Sequence, residues 1–168
     1  MKIAFTGSHG CGKTTAVYNT AYEYKLKNNS RTINLLTEVA RYSPFPLNKN
    51  TTLESEQWIY YKQLVRELEE ESICDILICD RTIVDVLAYS KVAGFDKLVE
   101  VLIPISEYHL KTYDEIYFLS IENNNYHFAD GIRDLDLDFR KKIEDVLLDF
   151  YKILSKNITD WDRRFIIK

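Results

Sequence analysis

The 168-residue chain has no apolar run long enough to cross a bilayer, which argues against a membrane-spanning helix. It has no surplus of positive charge. Lys and Arg number 22 against 26 Asp and Glu, a net charge of −4. A broad basic surface is not expected, so nucleic acid is not favoured as the main ligand; a local basic cleft stays open. Cysteine is sparse: Cys11, Cys74 and Cys79 make neither a disulfide framework nor a metal site. His109 and His127 have no Cys or His neighbour at metal-ligand spacing. No repeat, low-complexity tract or linker divides the chain. No signal peptide is expected, because Met1-Lys2 leads straight into a strand-like stretch. What is there is ordinary for a globular protein: 46% apolar and 29% charged residues, in a length that suits one domain over residues 1–168.

Strand-like and helix-like segments alternate, the pattern of a parallel sheet with helices on both faces. Strands are expected at Ile3–Thr6, Thr32–Thr37, Asp75–Asp80, Glu115–Ser120 and Phe165–Ile167. The first helix follows Thr15 and buries Val17, Ala21 and Tyr24. The second runs from Leu53 to Ser72, capped by Thr52, with Trp58, Tyr61, Val65 and Leu68 as its core face. Tyr60, Gln57 and Gln63 are left over as ligand candidates. Helices come next at 83–92 and 96–111, the second bent or split by Pro104. A polar segment, 122–136, precedes a long amphipathic helix, 137–156.

Between the first strand and first helix stands Gly7-Ser8-His9-Gly10-Cys11-Gly12-Lys13-Thr14, a full match to the Gly-x4-Gly-Lys-Ser/Thr phosphate-binding loop, with Thr15 behind it. Its backbone N–H groups curl around phosphate oxygens, and the helix start adds partial positive charge. Lys13 is expected to reach the β- and γ-phosphates, and Thr14 to ligate Mg²⁺. His9 occupies a variable position of the loop and receives no catalytic role. A nucleotide loop in a chain with free thiols fits the reducing cytoplasm.

In an open parallel sheet, ligands sit beyond the carboxyl ends of the strands. Those ends carry Glu38 and Arg41, then Asp80 and Arg81, then Asp130 and Arg133. Asp80 closes an apolar strand, as an acid that holds Mg²⁺ would; the alternative is a helix cap. Arg81 is a planar fork suited to phosphate oxygens, the alternative being a surface ion pair. Glu38 is either a base for a substrate hydroxyl or a salt-bridge partner of Arg41 or Arg81. Arg133 is a candidate arginine finger in cis or a solvated residue; Arg140, seven further on, is read as part of a solvated helix face.

These motifs resemble the P-loop nucleoside and nucleotide kinase superfamily. The loop is like that of thymidylate kinases, and Asp80-Arg81-Thr82 is similar to their Asp-Arg and to the Glu-Arg-Ser of deoxynucleoside kinases. Glu38-Val39-Ala40-Arg41 and Asp130-Gly131-Ile132-Arg133 resemble a branch of small AAA-type ATPases that includes the nicotinamide riboside kinase domain. The resemblance implies a P-loop NTPase three-layer sandwich with a five-stranded parallel sheet and a lid-like segment near 122–136. It also implies ATP and Mg²⁺ as cofactors, a small nucleoside or nucleotide acceptor, and a possible homodimer. Val39 stands where thymidylate kinases have proline, the lid is poorer in arginine than theirs, and Arg81 stands where nicotinamide riboside kinase domains have threonine. These departures leave the acceptor open.

Two other readings compete. A switch or accessory ATPase acting on a protein or nucleic acid is the first. A GTPase would need an Asn-Lys-x-Asp base reader, which Asn48-Lys49-Asn50-Thr51 is not, and Arg81 occupies the place of a motor's second acid. A polynucleotide 5′ kinase needs a basic channel, against which the acidic balance weighs.

Overall fold

The computed structural model describes residues 1–122 and 136–168. Strands β1 (Lys2–Thr6), β2 (Ile33–Leu36), β3 (Ile76–Asp80), β4 (Glu115–Phe118) and β5 (Phe165–Ile167) form one sheet. Its order is β2-β3-β1-β4-β5 and every pairing is parallel. The helices are α1 (Lys13–Lys27), α2 (Leu53–Glu71), α3 (Ile83–Val92), α4 (Asp96–Leu110), α5 (Leu137–Leu154) and the short α6 (Trp161–Arg164). This is the α/β sandwich expected from the alternation.

Central β1 and β3 are buried at every residue, because helices cover both faces of the sheet. Ile3, Phe5, Ile76 and Ile78 pack with Val17 of α1 on one face. Ala4, Leu77 and Cys79 point the other way, into the larger core with Tyr60, Leu102 and Leu147. The pairing of Phe5 with Asp80 sets the ends of β1 and β3 side by side. The phosphate loop after β1 and the Arg81 turn after β3 therefore open on the same rim of the sheet, where the chain's winding leaves a crevice.

Two helices correct the sequence reading. The buried face of α2 is Ser55, Glu56, Ile59, Tyr60, Gln63 and Glu67. Tyr61, Val65 and Leu68 are exposed, at 46%, 46% and 56%. Hydrophobic spacing misleads here because the inner face is polar and hydrogen-bonded. Tyr60 Oη pairs with Ser106 Oγ at 2.8 Å. Glu67, fully buried, accepts from Gln63, Tyr113 and the Lys2 ammonium and pairs with His109. Tyr60 and Gln63 are thus internal struts rather than ligand groups. Pro104 does not split α4, which runs as one helix from Asp96 to Leu110. It lies on the exposed side with Glu100, whose carbonyl it leaves to water.

Candidate active site

The phosphate loop holds its shape through glycines that no other residue replaces. Gly7 has φ +133°, and a Cβ there would stand 2.4 Å from the carbonyl oxygen of Leu119. Gly12, at φ 85°, caps α1 without a side-chain hydrogen bond, so the helix start keeps its N–H groups for a ligand. Ser8 and His9 are buried, Gly10 is half-buried, and Cys11 Sγ donates to the Ser8 carbonyl at 2.9 Å. The Lys13 ammonium folds back on the loop, donating to the carbonyls of Gly7 (2.9 Å) and Ser8 (2.6 Å). Thr15 is exposed on the first turn of α1.

Thr14 Oγ1 donates to Asp80 Oδ2 at 2.5 Å, joining the loop to the end of β3. Burial pushes the Asp80 carboxyl up, and the nearby Lys13 charge opposes that. Its other oxygen, Oδ1, is buried without a hydrogen-bond partner among the described residues. A hydroxyl beside a carboxylate with an unused buried oxygen is a donor set that suits Mg²⁺, which takes few protein ligands and keeps water and phosphate for the rest. Among the described residues no group of three or more His, Cys, Asp or Glu is placed to hold a metal alone.

Arg81 follows Asp80 with φ 88°, a left-handed backbone rare outside glycine. Gln63 Nε2 donates to its carbonyl, and its own N–H donates to Phe5, which fix that conformation. The guanidinium is thereby aimed sideways. Nε donates to Glu38 Oε1 at 2.8 Å, Nη1 donates to Asp85 Oδ1 at 3.1 Å, and the group lies 5.4 Å from the centre of the Tyr89 ring. Arg41 Nε reaches the other Glu38 oxygen at 3.0 Å. Burial tends to raise the Glu38 carboxyl, but Arg81, Lys13 and Arg41 outweigh it and hold it at about 2. In this arrangement Glu38 is an ionised salt-bridge carboxylate.

Glu38, Arg41 and Arg81 line a cleft together with His9, Glu56 and Tyr89. His9 belongs to both the loop and the cleft, and its Nδ1 lies 3.0 Å from the Tyr89 hydroxyl. Glu56 Oε1 accepts from Thr51 Oγ1 at 2.6 Å, and burial lifts its carboxyl to about 7. Asp85 is almost wholly buried; it accepts from Thr6 and Thr82 and closes a capping box at the start of α3.

Thus the structure brings together Lys13, Thr14, Glu38, Arg41, Asp80 and Arg81. Arg133, Asp130 and nearly all of the expected lid lie outside the described residues. Arg140 is not on a solvated face: it is buried, and its Nε donates to the His9 carbonyl at 2.9 Å. The apolar stripe of α5 around Ile143 and Phe150 carries it inward. Glu56, Asp85 and Tyr89 were missed. Only Asp85 had a signal, the Thr-x-x-Asp spacing that opens a helix.

The sequence matches, over residues 2–163, the family model described as an AAA domain. The chain belongs to the AAA-domain family. A search of curated proteins gave no match. Among solved structures, this AAA-domain chain is similar to deoxyadenosine kinase from M. mycoides with bound dATP: 16% identity, TM-score 0.65, covering 100% of this chain and 90% of that one. It is also similar to thymidylate kinase from Ehrlichia chaffeensis, at 19% identity and TM-score 0.62, covering 100% and 91% of the two chains. The M. mycoides enzyme with dCMP and dCDP bound aligns at 17% identity and TM-score 0.61, covering 100% and 89%. At such identities the likeness is one of fold, and the fold of this AAA-domain protein is that of the P-loop nucleoside and nucleotide kinases. Among the described residues, no helix is long and apolar enough to cross a membrane.

Proposed function

We propose that the protein is an ATP-dependent small-molecule kinase that moves the γ-phosphoryl group of MgATP to a nucleoside or nucleotide acceptor. The observation that carries this reading is the shared wall. The phosphate loop and a second, charged cleft meet at His9, so a γ-phosphate in the loop would face an acceptor in the cleft. An ATPase that only hydrolyses needs no such second pocket.

The chemistry rests on positioning and charge. Loop N–H groups and Lys13, turned from its carbonyls, would hold the triphosphate. Thr14 and Asp80 would hold Mg²⁺, which when bound would supply neutralisation of phosphate charge. The acceptor hydroxyl oxygen bonds to the γ-phosphorus as the bond to the β–γ bridging oxygen breaks. ADP leaves with that oxygen, and the hydroxyl proton passes by way of Glu38 to water. A carboxylate held near 2 is a weak base, so Glu38 works chiefly by accepting the hydroxyl's hydrogen bond and orienting it. A loose transition state asks for little more, because the proton departs late. Arg81 would keep Glu38 in place through their ion pair, and Arg133 is proposed to meet the charge that develops on the transferring group.

Incubation with γ-labelled ATP, Mg²⁺ and a pool of nucleosides and nucleoside monophosphates tests the reading. Label on an organic acceptor, abolished in Lys13→Ala, supports it. Label released only as inorganic phosphate favours the ATPase reading instead.

A further inference from the structure

An acceptor that already bears a phosphate needs cations free to meet it. Among the described residues the cleft carries two, Arg41 and Arg81, against the carboxyls of Glu38, Glu56 and Asp85. Both arginines end on those acids, Arg81 between Glu38 and Asp85 and Arg41 on Glu38. Drawing Arg81 onto a phosphate would strip a cation from two carboxylates that are 14% and 1% exposed, and each uncompensated charge carries a desolvation penalty. The count does not depend on Glu56. With its carboxyl neutral the cleft balances; with it ionised the acids exceed the cations.

The chemistry at Glu38 points the same way. A hydroxyl acceptor brings a hydrogen-bond donor that Glu38 can accept from and orient as the oxygen bonds to phosphorus. A phosphate dianion brings none, and its oxygens would face a carboxylate held ionised at the same spot. Of the remaining wall, Leu47, Ile59 and Val86 are apolar and suit a ring, beside the uncharged Asn48 and Tyr89.

We propose that the acceptor carries no phosphate of its own: it is a nucleoside, with its sugar hydroxyl at Glu38 and its base toward Glu56, and a nucleoside monophosphate is rejected. This rests on the kinase reading above.

The test measures kcat/KM of the full chain with MgATP for ribo- and deoxyribonucleosides of the common bases and for their 5′-monophosphates. The expected result is transfer to at least one nucleoside with kcat/KM about 100-fold or more above its monophosphate, the size that buried, mismatched charges impose. Transfer to a monophosphate with equal or greater kcat/KM overturns this inference and leaves the kinase reading standing. Label reaching no acceptor in either series, with phosphate released alone, overturns both.

Discussion

Replacing Arg81 separates its backbone role from its charge. With φ 88° it sits where a side chain costs roughly 1–2 kcal/mol relative to the right-handed region. Its guanidinium, 12% exposed, holds Glu38 at 2.8 Å and Asp85 at 3.1 Å. Removing one partner of a buried ion pair costs about 3–5 kcal/mol. The depressed Glu38 carboxyl gives an independent scale. A fall from the ordinary 4.5 to about 2 corresponds to about 3 kcal/mol of native-state stabilisation. Arg81→Ala should therefore lose about 3–5 kcal/mol, which a domain with typical stability survives. Arg81→Gly strands the same carboxylates but accepts the positive φ freely. It gives back about 0.4–1 kcal/mol through the looser unfolded chain. The glycine variant should be the more stable of the two by up to about 1.6 kcal/mol, reversing the usual order. Urea denaturation at neutral pH reads both differences from the midpoints. The wild type should also lose stability as pH falls from about 4.5 toward 2, since the folded carboxyl binds its proton later than the unfolded one, and the variants should lose less. Losses below about 1 kcal/mol in both variants would show that the bridge is screened by solvent. An alanine variant clearly more stable than the glycine one would refute the backbone argument.

Gly7→Ala should lose several kcal/mol and all nucleotide binding, because its Cβ would meet the Leu119 carbonyl at 2.4 Å; circular-dichroism melts and calorimetry with an ATP analogue check this. Glu56 runs opposite to Glu38. Burial raises its carboxyl to about 7, so the folded state holds a proton that the unfolded state releases, and about 3 kcal/mol is lost as pH rises from about 4.5 to 7. Urea midpoints across that window should decline in the wild type and flatten in Glu56→Gln. Arg140→Met deletes the bond to the His9 carbonyl and should weaken binding of a non-hydrolysable ATP analogue about tenfold; unchanged affinity would mean that the loop keeps its shape unaided.

The sheet and the phosphate loop were legible because both are written locally. Ile76 to Cys79 is a continuous apolar run, and Gly7 to Thr14 has fixed spacing after a strand. The site beyond the loop was legible only in part. Glu38, Asp80 and Arg81 stand at strand ends, where topology delivers them. Glu56 sits on a helix whose inner face is polar, so hydrophobic spacing pointed to the exposed Tyr61, Val65 and Leu68. Arg140 reads as a surface charge because its partner, the His9 carbonyl, lies 131 residues away and is backbone, which no side-chain pattern announces.

The central claim is that triphosphate in the loop and acceptor in the cleft meet at the wall His9 shares between them. A crystal structure with Mg²⁺, a non-hydrolysable ATP analogue and a nucleoside tests it most directly. The account predicts the γ-phosphate beside Lys13, magnesium parting Thr14 from Asp80, and a sugar hydroxyl between Glu38 and the γ-phosphorus. A triphosphate bound elsewhere, or a nucleoside outside the cleft lined by Glu38 and Glu56, would contradict it.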